Sequence, residues 1–192
     1  MSAASAGSAG SAAQGFKKLG EEVIYSGAVI TVARGRFVAP DGQEFDRDLV
    51  HHPGAVVVVP LVDDRTALLV RQYRSAVETE ILEIPAGKRD VADEPTEVTA
   101  ARELAEEVGR AAGRLELLAE FYNSPGFSNE RTWLYLARDL SVVPVDRQGV
   151  EEQAMTVEEV KLADVDGLIA AGELTDAKSI IGLTLAMRRL GV

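Results

Sequence analysis

The stretch from Gly87 to Gly109, GKRDVADEPTEVTAARELAEEVG, constrains this chain more than any other. Its centre, Arg102-Glu103-Leu104-Ala105-Glu106-Glu107-Val108-Gly109, follows Glu94 and Gly87. Pro95 and Thr96 suit a helix N-terminus, Ala, Leu and Glu favour a helix interior, and Gly109 suits a C-cap, so the pattern predicts a helix from Thr96 to Val108. At 3.6 residues per turn, Glu103, Glu106 and Glu107 fall at i, i+3 and i+4 on one face. Val98, Ala101, Ala105 and Val108 form a separate stripe that can pack against a sheet, which places the carboxylates on a different side from the buried one. Three carboxylates so placed repel one another, and Arg102, four residues before Glu106, offsets only about 0.3–0.5 kcal/mol. A hard divalent cation would satisfy them better. Oxygen ligands with no Cys or His nearby favour Mg²⁺, or Mn²⁺ in its place, over Zn²⁺. A solvated charged helix is the plainer reading, and spacing alone does not exclude it.

A chain of 192 residues with 46% hydrophobic content can bury a sizeable core in one domain, with or without a short extension. Zero Cys excludes disulfides, thiolate metal sites and a Cys nucleophile. A formal net charge of −11 without a basic stripe argues against nucleic-acid binding. A small anionic substrate would need a metal or a few placed Arg. With no long apolar run and no signal-peptide pattern, the chain reads as soluble, cytoplasmic and without membrane association.

Residues 1–14, MSAASAGSAGSAAQ, are small and repetitive and predict a disordered tail. Residues 15–50 read as a β extension: Val23 to Tyr25, Ala28 to Val32, Arg36 to Val38, an Asp41-Gly42 turn, then Glu44 to Val50. The main domain then covers 51–192. Ala55 to Val62, AVVVVPLV, is apolar at nearly every position and predicts a strand covered on both faces. Further strands are expected at Thr66 to Tyr73, Gly113 to Tyr122, Trp133 to Ala137 and Met155 to Val160, with helices at Ala163 to Ala171 and Asp176 to Leu190. Thr175 or Asp176 can cap the last of these. His51 and His52 have no partners at ligand spacing and read as surface or strand-end residues.

The Gly, the Glu and the run Arg-Glu-apolar-any-Glu-Glu-any-Gly together resemble the Nudix box. Two departures mark it. Gly87 and Glu94 are separated by six residues where the family usually has five, which leaves Asp93 or Glu94 in that role, and Arg110 follows Gly109 where an apolar residue is usual. Leu-Glu-Ile-Pro-Ala-Gly before the box, and Ser124-Pro125-Gly126 with Glu130 four residues on, resemble the ADP-ribose pyrophosphatase branch. The resemblance implies an α/β/α sandwich with a mixed sheet, an N-terminal antiparallel β extension that mediates a homodimer, and hydrolysis of ADP-ribose to AMP and ribose 5-phosphate with Mg²⁺. It implies metal ligands at Glu103, Glu106, Glu107 and the Ala86 carbonyl, and Arg102 as an orienter of the carboxylates. Arg74, Glu83, Ser124, Gly126, Phe127 and Glu130 are the implied substrate contacts. The general base is implied in the polar loop Asp146 to Ala154, at Glu151 or, failing that, Glu152. Other nucleoside diphosphate sugars, dinucleotides, and a ligand-binding regulator without turnover are the competing readings.

Overall fold

The computed structural model describes residues 15–147 and 149–192, so the tail expected over 1–14 lies outside the described residues. The described chain divides into two compact units, one running through His52 and including Gly126–Asn129, the other comprising Pro53–Pro125 and Glu130–Val192.

The first unit is an antiparallel sheet of three strands, β1 (Lys17–Ser26), β2 (Thr31–Val38) and β3 (Glu44–His51), in the order β1-β2-β3. Three short runs, Val23 to Tyr25, Ala28 to Val32 and Arg36 to Val38, were expected where β1 and β2 form two longer continuous strands. Alternating polar residues hide their length, and cross-strand pairing from Lys17↔Val38 to Ser26↔Thr31 supplies what local pattern lacks. Phe37 stacks on Phe45, and Phe16 meets Phe45 edge to face.

The second unit is built on a seven-stranded sheet. Its main path runs β10 (Thr156–Lys161), β5 (Thr66–Arg74), β4 (Ala55–Asp63), β9 (Arg131–Val142), β8 (Arg110–Tyr122), with β6 (Thr79–Glu83) on β5 and β7 (Ala86–Lys88) on β4. The β4–β9 pair is parallel and the remaining pairs are antiparallel, so the sheet is mixed.

Strand β4 is buried on both faces, as its unbroken apolar run predicts. Val56 and Val58 join Leu68, Val70, Tyr135 and Ala137 against helix α1 (Thr96–Val108), and Val57, Val59 and Leu61 join Leu69, Leu134 and Leu136 on the other face. That second face is covered by a 3₁₀ turn (Leu162–Asp164), α3 (Val165–Ala171) and α4 (Ala177–Leu190), through Val165, Leu183 and Ala186. Each buried Val or Leu side chain among these contributes about 1.5–3 kcal/mol of transfer free energy. Helices on both faces of a mixed sheet make the α/β/α sandwich. A fourth α-helix, α2 (Val150–Ala154), is a single short turn in the loop before β10. Among the described residues, no helix is long and apolar enough to cross a membrane.

Helix α1 departs from its expected orientation. Its buried residues are Thr99, Ala100, Leu104, Glu107 and Val108, while Val98 is 51% exposed. The apolar stripe is therefore Ala100-Leu104-Val108, and Glu107 lies beside it instead of across the helix. A residue that can hydrogen-bond inward overrides the apolar count here, because β7 presents a backbone N–H to it.

Candidate active site

Four elements converge on the carboxylates of α1. Glu107 is 3% exposed. Its Oε2 accepts a hydrogen bond of 3.1 Å from the Ala86 N–H. Burial pushes its carboxyl up to about 8, with Glu103 and Glu152 adding like-charge repulsion, against the Ala86 hydrogen bond and Arg74, which pull the other way. Burial likewise pushes Glu103 up to about 7, and there the adjacent Arg102 opposes the shift while Glu106 and Glu152 add to it.

The register of β7 decides which way Ala86 faces. Arg89 N–H donates to the Gly54 carbonyl at 3.1 Å, Val58 N–H donates to the Pro85 carbonyl at 3.0 Å, and Val56 stands opposite Gly87 between them. Bonded and non-bonded pairs alternate along an antiparallel ladder. Ala86, opposite Val57, is thus a non-bonded position whose N–H and carbonyl both turn away from β4. The N–H goes to Glu107, and the carbonyl leaves the strand on the same edge.

Gly87 makes room for the second carboxylate. A Cβ built there would stand 1.8 Å from Glu103 Cδ and 2.1 Å from its Cγ and Oε1. No side chain other than hydrogen fits while Glu103 keeps its place.

Arg102 gathers the acids from outside the cluster. Its Nη1 lies 2.8 Å from Glu103 Oε1 and 3.0 Å from Glu106 Oε2, and its Nη2 lies 3.4 Å from Glu94 Oε2 and 3.8 Å from Asp90 Oδ1. Burial disfavours the guanidinium charge, but Glu103, Glu94 and Glu106 outweigh that and raise its pKa above the ordinary value. Glu94, rather than Asp93, faces this network, since it also accepts a 2.7 Å hydrogen bond from Thr99 Oγ1. Asp93 sits in the turn with φ 58°, so the extra residue between Gly87 and Glu94 is taken up there in a left-handed kink.

Arg74 approaches from the end of β5. Its Nε donates to Glu83 at 3.0 and 3.1 Å and its Nη2 also bonds Glu83 Oε2. Burial lowers its pKa, yet the Glu83 hydrogen bonds and charge, followed by the charges of Glu107 and Asp176, raise it overall. Glu83 is 2% exposed and also accepts 3.0 Å from Gln72 Nε2, so its carboxylate is taken up in holding Arg74.

The loop before β10 brings one of its two candidate bases toward this cluster. Glu152 is half-buried, accepts 3.1 Å from the Gly149 N–H, and acts electrostatically on both Glu103 and Glu107. Glu151 is exposed on α2. Ser124 and Glu130 bound the turn between β8 and β9, where Asn123 N–H donates to the Glu130 carbonyl at 3.3 Å. Gly126 and Phe127 fold with the first unit, where the Phe127 carbonyl accepts 2.7 Å from Val50 N–H.

Sequence reasoning missed three participants. Gln72 lies in an expected strand, Arg147 in the polar loop and Ser179 in the last expected helix, and no local pattern marks any of the three as part of a site. Ser179 Oγ accepts from the Ile84 N–H at 2.8 Å and donates to Asp176 Oδ2 at 2.6 Å, which ties the start of α4 to the segment entering Ala86. An Asp three residues before a Ser at a helix start was a readable capping signal, but its reach to Ile84, 95 residues away, was not.

The donor set fits a hard divalent cation. It is all oxygen, it combines two carboxyls whose pKa values are raised by burial and by neighbouring carboxylates with a carbonyl on the edge facing them, and it contains no soft ligand. Among the described residues, no three acidic or imidazole side chains already stand in a ligating arrangement. Glu103 and Glu106 are turned to Arg102, and Glu107 to Ala86, so their oxygens must rotate to share an ion.

Comparison with known proteins places the chain among relatives. The chain is 40% identical over 163 residues to the ADP-ribose pyrophosphatase of Bacillus subtilis (strain 168), covering 85% of this chain and 88% of that one. It is 35% identical over 167 residues to the methanol dehydrogenase activator of Bacillus methanolicus, covering 87% and 90%. Its fold is similar to the crystal structure of an ADP compounds hydrolase, with a TM-score of 0.82 at 24% identity over 95% of this chain and 97% of that one. Residues 51–180 match the NUDIX domain model, a span that holds Gly87, Glu94 and the whole carboxylate helix, and the chain therefore belongs to the Nudix hydrolase family.

Proposed function

We propose that this chain hydrolyses the diphosphate of ADP-ribose to AMP and ribose 5-phosphate, with Mg²⁺ required and Mn²⁺ able to replace it. The observation that carries the reading is the pair Glu103 and Glu107, two adjacent carboxylates whose pKa values are raised to about 7 and about 8, beside an Ala86 carbonyl on the same edge. The substrate class rests on the relative that is 40% identical and named an ADP-ribose pyrophosphatase.

Glu103, Glu107 and the Ala86 carbonyl would hold a divalent cation, with Glu106 assisting and Arg102 orienting the carboxylates, and the cation would neutralise the diphosphate and polarise the attacked phosphorus. Glu152 accepts a proton from the attacking water. The water oxygen bonds to one phosphorus as the bond from that phosphorus to the bridging oxygen breaks, and the electron pair leaves on the other phosphate. Glu152 is preferred to Glu151 because its charge reaches Glu103 and Glu107. Arg74, held by Glu83, receives a phosphate or ribose oxygen, and Ser124 and Glu130 are further substrate contacts. The exposed apolar side chains of β1, with Val23, Ile24 and Tyr25 each more than half exposed, suit a homodimer.

The test is purified protein with ADP-ribose and Mg²⁺, with and without chelator, following AMP and ribose 5-phosphate by chromatography. Turnover that the chelator abolishes is the expected result. Turnover confined to another nucleoside diphosphate sugar or a dinucleotide would move the substrate within the class. A relative named an activator gives weight to a second reading, a ligand-binding regulator. Measurable binding of ADP-ribose with no product would favour it.

A further inference from the structure

The guanidinium of Arg147 joins two backbone carbonyls from different parts of the site. Its Nε and Nη2 donate to the Glu107 carbonyl at 3.2 and 3.1 Å, and its Nη1 donates to the Met155 carbonyl at 2.6 Å. Glu107 is next to last in α1, where carbonyls have no partner within the helix. Helix α1 carries no basic residue in its own last turn. Arg147 supplies from outside both the donors and the positive charge that this helix end lacks. The segment leading to it follows the same helix end, with Val143 N–H donating to the Gly109 carbonyl at 3.0 Å and Asp146 N–H to the Glu106 carbonyl at 3.2 Å. Beyond Arg147 the backbone passes through α2 with Glu152 and returns at Met155, the C-cap of α2. One side chain thus ties both ends of that excursion to the backbone of Glu107.

We infer that Arg147 is a positioning residue that holds the Glu152 loop at a fixed distance from the carboxylates of α1, an inference that rests on the loop supplying the base. Arg147 touches neither substrate nor reacting atoms. Its planar fork satisfies two carbonyls at once, which the point charge of a lysine does not reproduce. Released from the tie, the excursion keeps its sequence and its acids but loses the geometry in which Glu152 meets the attacking water.

The experiment compares the full-length chain with Arg147→Ala and Arg147→Lys. By hydrogen exchange and mass spectrometry, amides from Gly149 to Met155 exchange faster in both variants while those of β4 and α4 keep wild-type rates. Unchanged exchange in the loop would overturn the tie. In turnover of ADP-ribose with Mg²⁺, kcat falls about 10–100-fold, the range typical of groups that orient an active-site residue. KM stays within about threefold, as expected when a transition-state interaction alone is lost. In a Glu152→Gln background, Arg147→Ala costs less than about threefold more, because the two act through one another. An equal loss in both backgrounds would reduce Arg147 to a structural role. A wild-type chain without turnover would instead remove the proposed reaction, and the exchange arm would still decide whether Arg147 holds the loop.

Discussion

Glu107 sits where burial disfavours a carboxylate charge, and that cost is visible in its raised pKa of about 8. Glu107→Gln keeps an oxygen for the Ala86 N–H and removes a buried titratable carboxyl, and with it the repulsion from Glu103 and Glu152. Turnover should fall at least about 100-fold, the scale seen when a group stabilising transition-state charge is lost. The metal-free variant should nevertheless melt above the metal-free wild type, by about 2–4 °C for each kcal/mol of repulsion relieved. Calorimetry in chelator checks this, and a variant that melts lower would mean the carboxylate stabilises the fold. Gly87 offers the complementary test. Gly87→Ala drives a methyl into Glu103, whose flexible side chain can swing away, so the fold should survive while activity drops about 10–100-fold. Wild-type kcat in this variant would show that Glu103 need not occupy the space beside Gly87.

At the scale of elements, the start of α4 anchors the entry to Ala86 through Asp176 and Ser179. Burial pushes the Asp176 carboxyl up, but Lys178 and the hydrogen bonds from Ser179 outweigh it and hold its pKa below the ordinary 3.8. A depressed folded pKa means stability that is full above the unfolded value and lost as pH falls through the folded one. Asp176→Asn should therefore lower Tm at neutral pH, by a free energy of about 1 kcal/mol as for a lost N-cap. The gap from wild type should close below pH 3.8. A gap that persisted at lower pH would assign the effect to packing. Elements of this kind were legible in the sequence where the signal was local. The span of α1 and the two-sided burial of β4 follow from composition and capping alone. The facing of α1 does not, because Ala100 and Leu104 outrank Val98 only once β7 offers Glu107 a donor, a contact 21 residues distant. Arg147 was hidden for the same reason, since both of its carbonyl partners are backbone and carry no residue identity to read.

At the scale of the whole molecule, the first unit presents β1 with every residue exposed, including Val23, Ile24 and Tyr25. A homodimer would cover them, so the wild type should run in light scattering at twice 20.5 kDa. Replacing Ile24 with Asp should yield monomers, and a wild type already monomeric at assay concentration would remove the proposal. The second unit carries a different kind of constraint in its shortest strand. Because alternate residues of β7 turn opposite ways, adding or deleting one residue between Glu83 and Gly87 would exchange the carbonyl facing Glu107 for its neighbour and bring a side chain against Glu103. Between Gly87 and Glu94 the chain leaves the ladder for a turn with a left-handed residue at Asp93, which can take up the same change. Relatives of this chain should therefore tolerate a change of one residue after that glycine more readily than before it, so that the spacing on its N-terminal side is the stricter mark of a working site.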